Sequence, residues 1–376
     1  NATFGEPVRE SGNLRFITQS GAIASGLFDW CNSCGLGISE FVTLGNKAGL
    51  NENDILQYFH SQDENSLANH GGEGLSSLSP IGLYLESISN GSEFLKITKE
   101  ITRKNPIFII KPGKSEAAVK AMQSHTGSIA GADNVLEAVL NQAGVIRCHT
   151  LEDFFDLARA FSWEDLPKGP RVAVVSNAGG PAVISADAIS EQGLILAQFD
   201  ESTKSKLEEA LPRSASIVNP VDVLGDALAD RFASSLEAVM QTDDVDGLIV
   251  ILTPQIMTQI EKTAEAIGEM SKKYKKPVLC AFIGGSLVAE GENKLNELKI
   301  PSFRYPERAI SALSAMWRFK KMQQEITAEE NAEKVEDITR VESENNVVRQ
   351  IIQEALNKKY KTLDNIAADK IISSVG

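Results

Sequence analysis

The sequence is poor in cysteine, in histidine, in positive charge and in long apolar runs, and each shortage excludes something. Four cysteines in 376 residues are too few for the disulfide framework of a secreted domain, so the cytoplasm is the expected compartment. Lys and Arg number 37 against 51 Asp and Glu, a formal net charge of -14. That balance argues against a nucleic-acid partner, because phosphate backbones are held by clustered cations. No apolar run approaches the roughly 20 residues of a membrane-spanning helix, and no membrane partner is expected. Neither GxGxxG nor the GxxxxGK pattern followed by Ser or Thr occurs, so no dinucleotide or P-loop site is assigned. Residue 1 is Asn rather than Met, and the first dozen residues have neither a basic segment nor an apolar stretch. They read as a connector, and a fragment of a longer protein is expected.

The composition that remains, 42% apolar and 23% charged, is that of a chain with real cores. Its length suits two domains of roughly 150 residues each. Short β-branched runs alternate with helix-length segments: "LRFITQ" before a helix near Ala22 to Cys34, "ISEFVTL" before one near Asn53 to His60, then "IGLYLE" before one near Glu93 to Arg103, and "PIFIIK". From Arg171 the cycle restarts with "RVAVVSN", "LILAQFD", "DGLIVILT" and "PVLCAFIGG". Alternation of this kind predicts parallel strands with helices on both faces.

The two cycles match in order. "RFITQSGAIASG" corresponds to "VAVVSNAGGPAVIS", "FVTLGNKAG" to "PVDVLGDAL", "IGLYLESI" to "DGLIVILTPQI", and "NPIFIIKPGKS" to "KPVLCAFIGGS". The expected fold is therefore a duplicated flavodoxin-like α/β domain: a connector at 1–12, a first domain at 13–150, a second at 151–325, an acidic linker at 326–346, and a partial helical tail at 347–376. The amphipathic "LEDFFDLARAF" joins the two domains, and residues 62–80 read as a polar Gly/Ser-rich loop.

Two strand-to-helix turns stand out. Ser20, Gly21 and Ala22 in "TQSGAIA", and Asn177, Ala178, Gly179 and Gly180 in "SNAGGPAV", put small residues at helix N-termini. There unpaired amides and the positive dipole end converge on an anion. A phosphoryl-sized anion fits better than a nucleotide, and tight packing turns are the plainer reading of each glycine pair. Glu86 ends "IGLYLE" at the sheet edge where doubly wound folds bind ligands. It is either a solvated strand-end glutamate or a carboxylate that orients an imidazole. His125 lies between Ser124 and Thr126, with Gly127 next, in the glycine-spaced "QSHTGSIAGAD"; it is either a surface-loop histidine or a nucleophile in an amide-rich loop. The CxxC of Cys31 and Cys34 falls late in a helix with no second pair, and His60, His70 and His149 have no ligand spacing. No metal site is expected. "KPGKS", Lys111 to Ser115, is as much a plain turn as an anion contact.

"TQSGAIA", "TLGNKAG", "LYLES", "SHTGSIAGAD", "SNAGGPAV" and "NPVDVLGDA", in this order, resemble the ADP-forming acyl-CoA (acetyl-CoA) synthetases of the succinyl-CoA synthetase superfamily, over about residues 10 to 320. The resemblance implies that His125 is the phosphorylated residue, that Glu86 steadies it, and that the two glycine turns hold the phosphoryl group. Gly45, Asn46, Ser124, Thr126 and Gly127 are implied as substrate or loop contacts. The implied reaction interconverts acyl-CoA, ADP and phosphate with free acid, CoA and ATP through a phosphohistidine. CoA and Mg-ATP or Mg-ADP are then substrates of the complete enzyme, bound by no motif of this chain. The sequence departs from the full pattern in having neither the CoA-binding domain nor the ATP-grasp domain. Those are the expected partners, in the parent chain or a second subunit, together with a small acid and phosphate, in an oligomer; residues 347–376 resemble the start of an ATP-grasp domain. The alternative reading is a non-catalytic synthetase-like regulatory module of a protein acetyltransferase. Retention of His125, Glu86 and both turns favours the enzyme.

Overall fold

The computed structural model describes residues 6–70, 78–115, 117–120, 133–335, 338–358 and 362–375. The segment that carries Ser124, His125, Thr126 and Gly127 lies outside them. By chain contacts the molecule divides into Asn1–Gln323 and Gln324–Gly376.

The first unit contains two parallel sheets. Strands β1 (Leu14–Thr18), β2 (Ile38–Thr43), β3 (Ile81–Tyr84), β4 (Ile107–Ile110) and β5 (Ile146–Arg147) are ordered β2-β1-β3-β4-β5. Between them run α1 (Gly21–Cys34), α2 (Glu52–His70), α3 (Gly91–Ile101) and α4 (Asp133–Ala143), and α5 (Leu151–Trp163) follows. The second sheet uses β6 (Arg171–Ser176), β7 (Ile195–Leu196), β8 (Val221–Asp222), β9 (Gly247–Leu252), β10 (Val278–Phe282) and β11 (Ser302–Phe303), ordered β11-β10-β9-β6-β7. Its helices are α6 (Gly179–Glu191), α7 (Glu201–Ala210), α8 (Ala229–Gln241), α9 (Ile260–Tyr274) and α10 (Ala289–Glu297). Each sheet is thus built outward from its first strand in both directions, the doubly wound order that the repeat predicts. Each reverses direction next to that strand, at β1/β3 and at β6/β9, which is where such sheets bind ligands.

The second copy of β2 is split. β7 pairs with the first half of β6, at Arg171 and Val172, and β8 with its end, at Val175 and Ser176. The Asn219 side chain fills the gap between them, accepting from Val174 N at 2.9 Å and donating to Val172 O and Ala197 O at 2.8 and 3.0 Å. One amide side chain replaces the missing ladder bonds, as buried backbone groups require.

Strand residues alternate between two cores, the period of a sheet buried on both faces. Val172 and Val174 join a cluster with Leu14, Phe16, Leu27, Phe154, Ile249 and Phe303, so one continuous core lies between the sheets. Ala173 and Val175 face α7 to α10, and Ile17, Leu83 and Ile109 face α2 to α4. Helix α5, placed at the start of the second domain by the boundaries above, is shared. Its Phe154 packs edge-on against Phe16 and Phe108 of the first sheet, and its Arg159 stacks on Phe303 of the second. Thr150 caps α5 in a reciprocal box with Asp153.

Two segments are more helical than the sequence reading placed them. Helix α2 continues from His60 to His70, through residues assigned to the 62–80 loop; "SQDENSLANH" contains no Gly or Pro, and the breakers begin only at Gly71. In the segment assigned to an acidic linker, α11 (Pro306–Val335) and α12 (Ile338–Asn357) occupy most of the residues. No Gly or Pro follows Pro306 until Gly376, and Glu, Ala and Lys favour helix whether or not they are buried. In the second unit α12 packs against α13 (Asn365–Val375).

Candidate functional site

The carboxyl ends of β1 to β4 bring Gln19, Gly45, Glu86 and Lys111 together. After β1 the chain turns sharply because Thr18 Oγ1 accepts from Ser20 N at 2.9 Å and donates to Ser20 O at 3.1 Å. Ser20 then caps α1, its hydroxyl accepting from Ile23 N, and no acidic residue occupies the first turn. The second sheet repeats this with Ser176 Oγ on Ala178 N and Ala178 O, at 3.0 and 2.9 Å. Its helix α6 begins at Ala178 with no side-chain cap and no acidic residue in its first turn. A Cβ at Gly21 or Gly180 would meet nothing within 4 Å, so packing does not demand glycine at either place. The open space leaves the first amides approachable.

The residue after each first strand laces the sheet across its reversal point. Gln19 Oε1 accepts from Glu86 N at 2.7 Å and from Ser87 N at 3.1 Å, and Gln19 Nε2 donates to Gly45 O at 3.4 Å. Asn177, 2% exposed, accepts from Thr253 N and donates to Thr253 O, both at 2.8 Å. Glu86 and Thr253 are therefore equivalent positions, and only the first sheet has a carboxylate there. The Asn177 amide is thus held at both its nitrogen and its oxygen by the Thr253 backbone.

Glu86 is half-buried, and its Oε2 is buried with no hydrogen-bond partner among the described residues. A buried carboxylate oxygen without a donor is costly. Three neighbours register its charge. Burial pushes the Tyr84 hydroxyl up, and Glu86 adds to that. Burial pulls Lys47 down, against the opposing pull of Glu52 and Glu86. Burial also pulls Lys111 down, helped by Arg147 and Lys47 and opposed by Asp133 and Glu86. Lys111 Nζ donates to Glu86 O at 2.9 Å, which ties the start of "KPGKS" to the strand end that carries Glu86.

Gly45 and Asn46 are exposed on the neighbouring turn, Gly45 with φ of 53°, in the left-handed region that suits glycine. Among the described residues no hydrogen bond or ion pair links Ser20–Ala22 to Ala178–Gly180. The second turn has a neighbour that sequence reasoning passed over: Asp222 Oδ2 would lie 3.4 Å from a Cβ at Gly179. Gln19, Lys47 and Glu52 were also missed. Lys47 and Glu52 stand either side of a helix start with no periodic pattern to mark them, and they meet only through the fold.

Cys31, Cys34, Cys148 and Cys280 are free and buried, and burial pushes their thiols up. No group of His, Cys, Asp and Glu among the described residues is arranged to hold a metal. His60 lies beside Glu100 and His149 beside Lys114. No helix among the described residues is long and apolar enough to cross a membrane.

Two reversed sheets with glycine-turned helix ends define a class, and comparison with known proteins gives the family. Residues 11–161 match the succinyl-CoA ligase like flavodoxin domain and residues 172–327 the ligase-CoA domain. A 4-hydroxybutyrate–CoA ligase (ADP-forming) of Nitrosopumilus maritimus is 40% identical over 85% of this chain and 44% of its own length. An acetate–CoA ligase (ADP-forming) II subunit alpha of Pyrococcus furiosus is 35% identical over 84% of this chain and 67% of its own. Among solved structures, a dinucleotide forming acetyl-coenzyme A synthetase 1 of Ca. Korarchaeum cryptofilum, in complex with phosphate and ADP, superposes with a TM-score of 0.78. It is 33% identical, over 88% of this chain and 69% of that one. The chain belongs to the ADP-forming acyl-CoA synthetase family. It spans less than half the length of the Nitrosopumilus maritimus relative and about two thirds of the Pyrococcus furiosus subunit.

Proposed function

We propose that this chain is the phosphoryl-carrying core of an ADP-forming acid–CoA ligase, which interconverts acyl-CoA, ADP and phosphate with a carboxylic acid, CoA and ATP. One observation carries the reading: Glu86, at the reversal point of the first sheet, holds a buried Oε2 with no hydrogen-bond partner among the described residues. That oxygen is suited to accept from an imidazole N–H. His125, in the 121–132 segment outside the described residues, is the imidazole we assign to it.

The chemistry then runs in balanced steps. A phosphate oxygen attacks the thioester carbonyl, the C–S bond breaks, and CoA leaves as thiolate, giving an acyl phosphate. The free nitrogen of His125 attacks phosphorus while the P–O bond to the acyl group breaks, and the acid leaves as carboxylate with that electron pair. A terminal oxygen of ADP takes the phosphoryl group from nitrogen, giving ATP and the neutral imidazole. Glu86 holds the other ring nitrogen, fixing the tautomer and offsetting the positive charge that develops on the ring. The open amides of α1 (Gly21, Ala22) and α6 (Gly179, Gly180) are assigned to the phosphoryl oxygens, since phosphoryl transfer is mostly positioning and charge stabilisation; Ser20 N and Ala178 N, expected to join them, already donate to Thr18 Oγ1 and Ser176 Oγ and shape the turns instead. Asn177 sets the second turn rather than touching the anion. Gly45, Asn46, Ser124, Thr126 and Gly127 remain assigned to the surrounding loop contacts.

The nucleotide and CoA are assigned to further domains, ATP-grasp and CoA-binding, in the same protein or a second subunit; residues 347–376 are read as the start of the former. The subunit name carried by the Pyrococcus furiosus relative supports a partner. Four unpaired thiols suit the reducing cytoplasm. The regulatory reading is not favoured, because the relatives that match are ligases.

The test is labelling. The complete protein, given ATP labelled at the terminal phosphate, should take up acid-labile, base-stable label. His125→Ala should remove both the label and acyl-CoA-dependent ATP synthesis. Label on Ser124 or Thr126, or full activity in the alanine variant, would overturn the assignment.

A further inference from the structure

We propose that Gln19 and the buried Lys47–Glu52 pair are positioning residues that set the Glu86 carboxylate by clamping the backbone of residues 86–90. The proposal rests on Glu86 being the partner of the phosphorylated histidine. Strand β3 ends at Tyr84, and Leu85 N to Ile110 O at 3.1 Å is the last main-chain bond to a neighbouring strand among the described residues. Six main-chain groups of residues 86–90 are nonetheless taken by side chains from other elements. Gln19 Oε1 accepts from Glu86 N and Ser87 N at 2.7 and 3.1 Å, and Lys111 Nζ donates to Glu86 O at 2.9 Å. Lys47 Nζ donates to Ser87 O at 2.5 Å, Glu52 Oε1 accepts from Ser89 N at 2.6 Å, and Asn53 Nδ2 donates to Asn90 O at 3.2 Å. Lys47 and Glu52 also pair with each other, with side chains 7% and 0% exposed.

An ion pair this deep carries a desolvation cost that its own attraction barely offsets. Fold stability alone is a weak reason for it. The second sheet supplies an internal comparison. Thr43 and Asp222 occupy equivalent registers beside Thr18 and Ser176, and counting four and nine residues on from each gives Lys47 and Glu52 in one repeat and Asp226 and Arg231 in the other. That pair has the charges reversed, at 2.6 Å, with Asp226 59% exposed. Arg231 reaches back to Val223 O, on its own strand end. Where a carboxylate stands at the reversal point, the pair is buried and bonded beneath it. Where Thr253 stands there, Asp226 is exposed and Arg231 turns to its own strand end. A carboxylate that must meet an imidazole within tenths of an ångström needs such a frame, because a displacement of about 1 Å costs on the order of 10²-fold in rate.

The experiment is a double-mutant cycle in the complete protein, reading single-turnover phosphohistidine formation from labelled ATP. Gln19→Met removes the shared acceptor with little change of volume, and Glu86→Gln removes the carboxylate. Gln19→Met alone should slow phosphorylation on the order of 10²-fold with the KM for ATP unchanged. Added to Glu86→Gln it should cost less than about 3-fold more, because a frame has nothing left to position. Losses that multiply, or a full rate in Gln19→Met beside a slow Glu86→Gln, would overturn the clamp alone. A full rate in Glu86→Gln would overturn the underlying reading instead. If Gln19→Met fails to fold by circular dichroism, Lys47→Met with Glu52→Gln decides. It removes the pair without leaving a lone buried charge, and it should show the same non-multiplying loss.

Discussion

Replacing Glu86 by Gln is the most direct perturbation of the site, and the structure separates its two consequences. The main-chain N–H and C=O of Glu86 are bonded to Gln19 and Lys111, while its Oε2 has no partner among the described residues. An isosteric amide therefore breaks no described hydrogen bond of that oxygen, and stability should change by no more than about 1 kcal/mol. In a chain of this size that is a shift of a few degrees in Tm at most. The rate should respond far more. A positioned acid–base partner is worth about 10²–10⁴-fold, or roughly 3–5 kcal/mol of barrier. The assay is rapid-quench phosphohistidine formation, run beside thermal melting of the same sample. A wild-type rate would return Glu86 to an ordinary strand-end glutamate. A collapsed fold would show that its carboxylate is structural after all.

Other expectations follow from packing and charge. A Cβ at Gly82 would sit 2.5 Å from Phe154 Cζ; Gly82→Ala should destabilise by about 1–3 kcal/mol, and Phe154→Leu should recover part of it in urea melts. At Asp246, burial favours the neutral acid, but the guanidinium and amide of Arg171 outweigh it and hold the carboxyl below its ordinary value. Its contribution is present above the unfolded value near pH 4 and lost as pH falls through the lower folded value. Asp246→Asn should flatten that acid-side loss in urea midpoints measured from pH 3 to 6; an unchanged slope would contradict the pairing. The four buried thiols should react with a disulfide reagent only on unfolding. Fast native reaction at Cys31 or Cys34 would revive a redox role for the CxxC.

The architecture was legible because it is written in local periodicity and repeated. Runs such as "VAVVS" and "GLIVIL" are strands buried on both faces, and four matched blocks in one order imply one plan used twice. Misplaced boundaries came from composition. Polar residues 62–70 and the acidic stretch after Ala328 look like loop or linker, yet they lack breakers, and helix propensity acts without regard to burial. Of the candidate site, Glu86 and the two glycine turns were legible because strand ends and small-residue helix starts have sequence signatures.

The sequence by itself determined which chemistry was on offer: a histidine in a glycine-spaced stretch, a carboxylate at a strand end, and small-residue turns at helix starts. Tertiary structure alone decided what surrounds the carboxylate. Lys47 and Glu52 lie some forty residues from the segment they hold, and Gln19 lies nearly seventy residues away. Nothing in their spacing announces that they converge. They meet because parallel strands β1, β2, β3 and β4 bring their carboxyl ends to one edge, where the Glu86 backbone is bonded by other side chains while its Oε2 has no partner among the described residues.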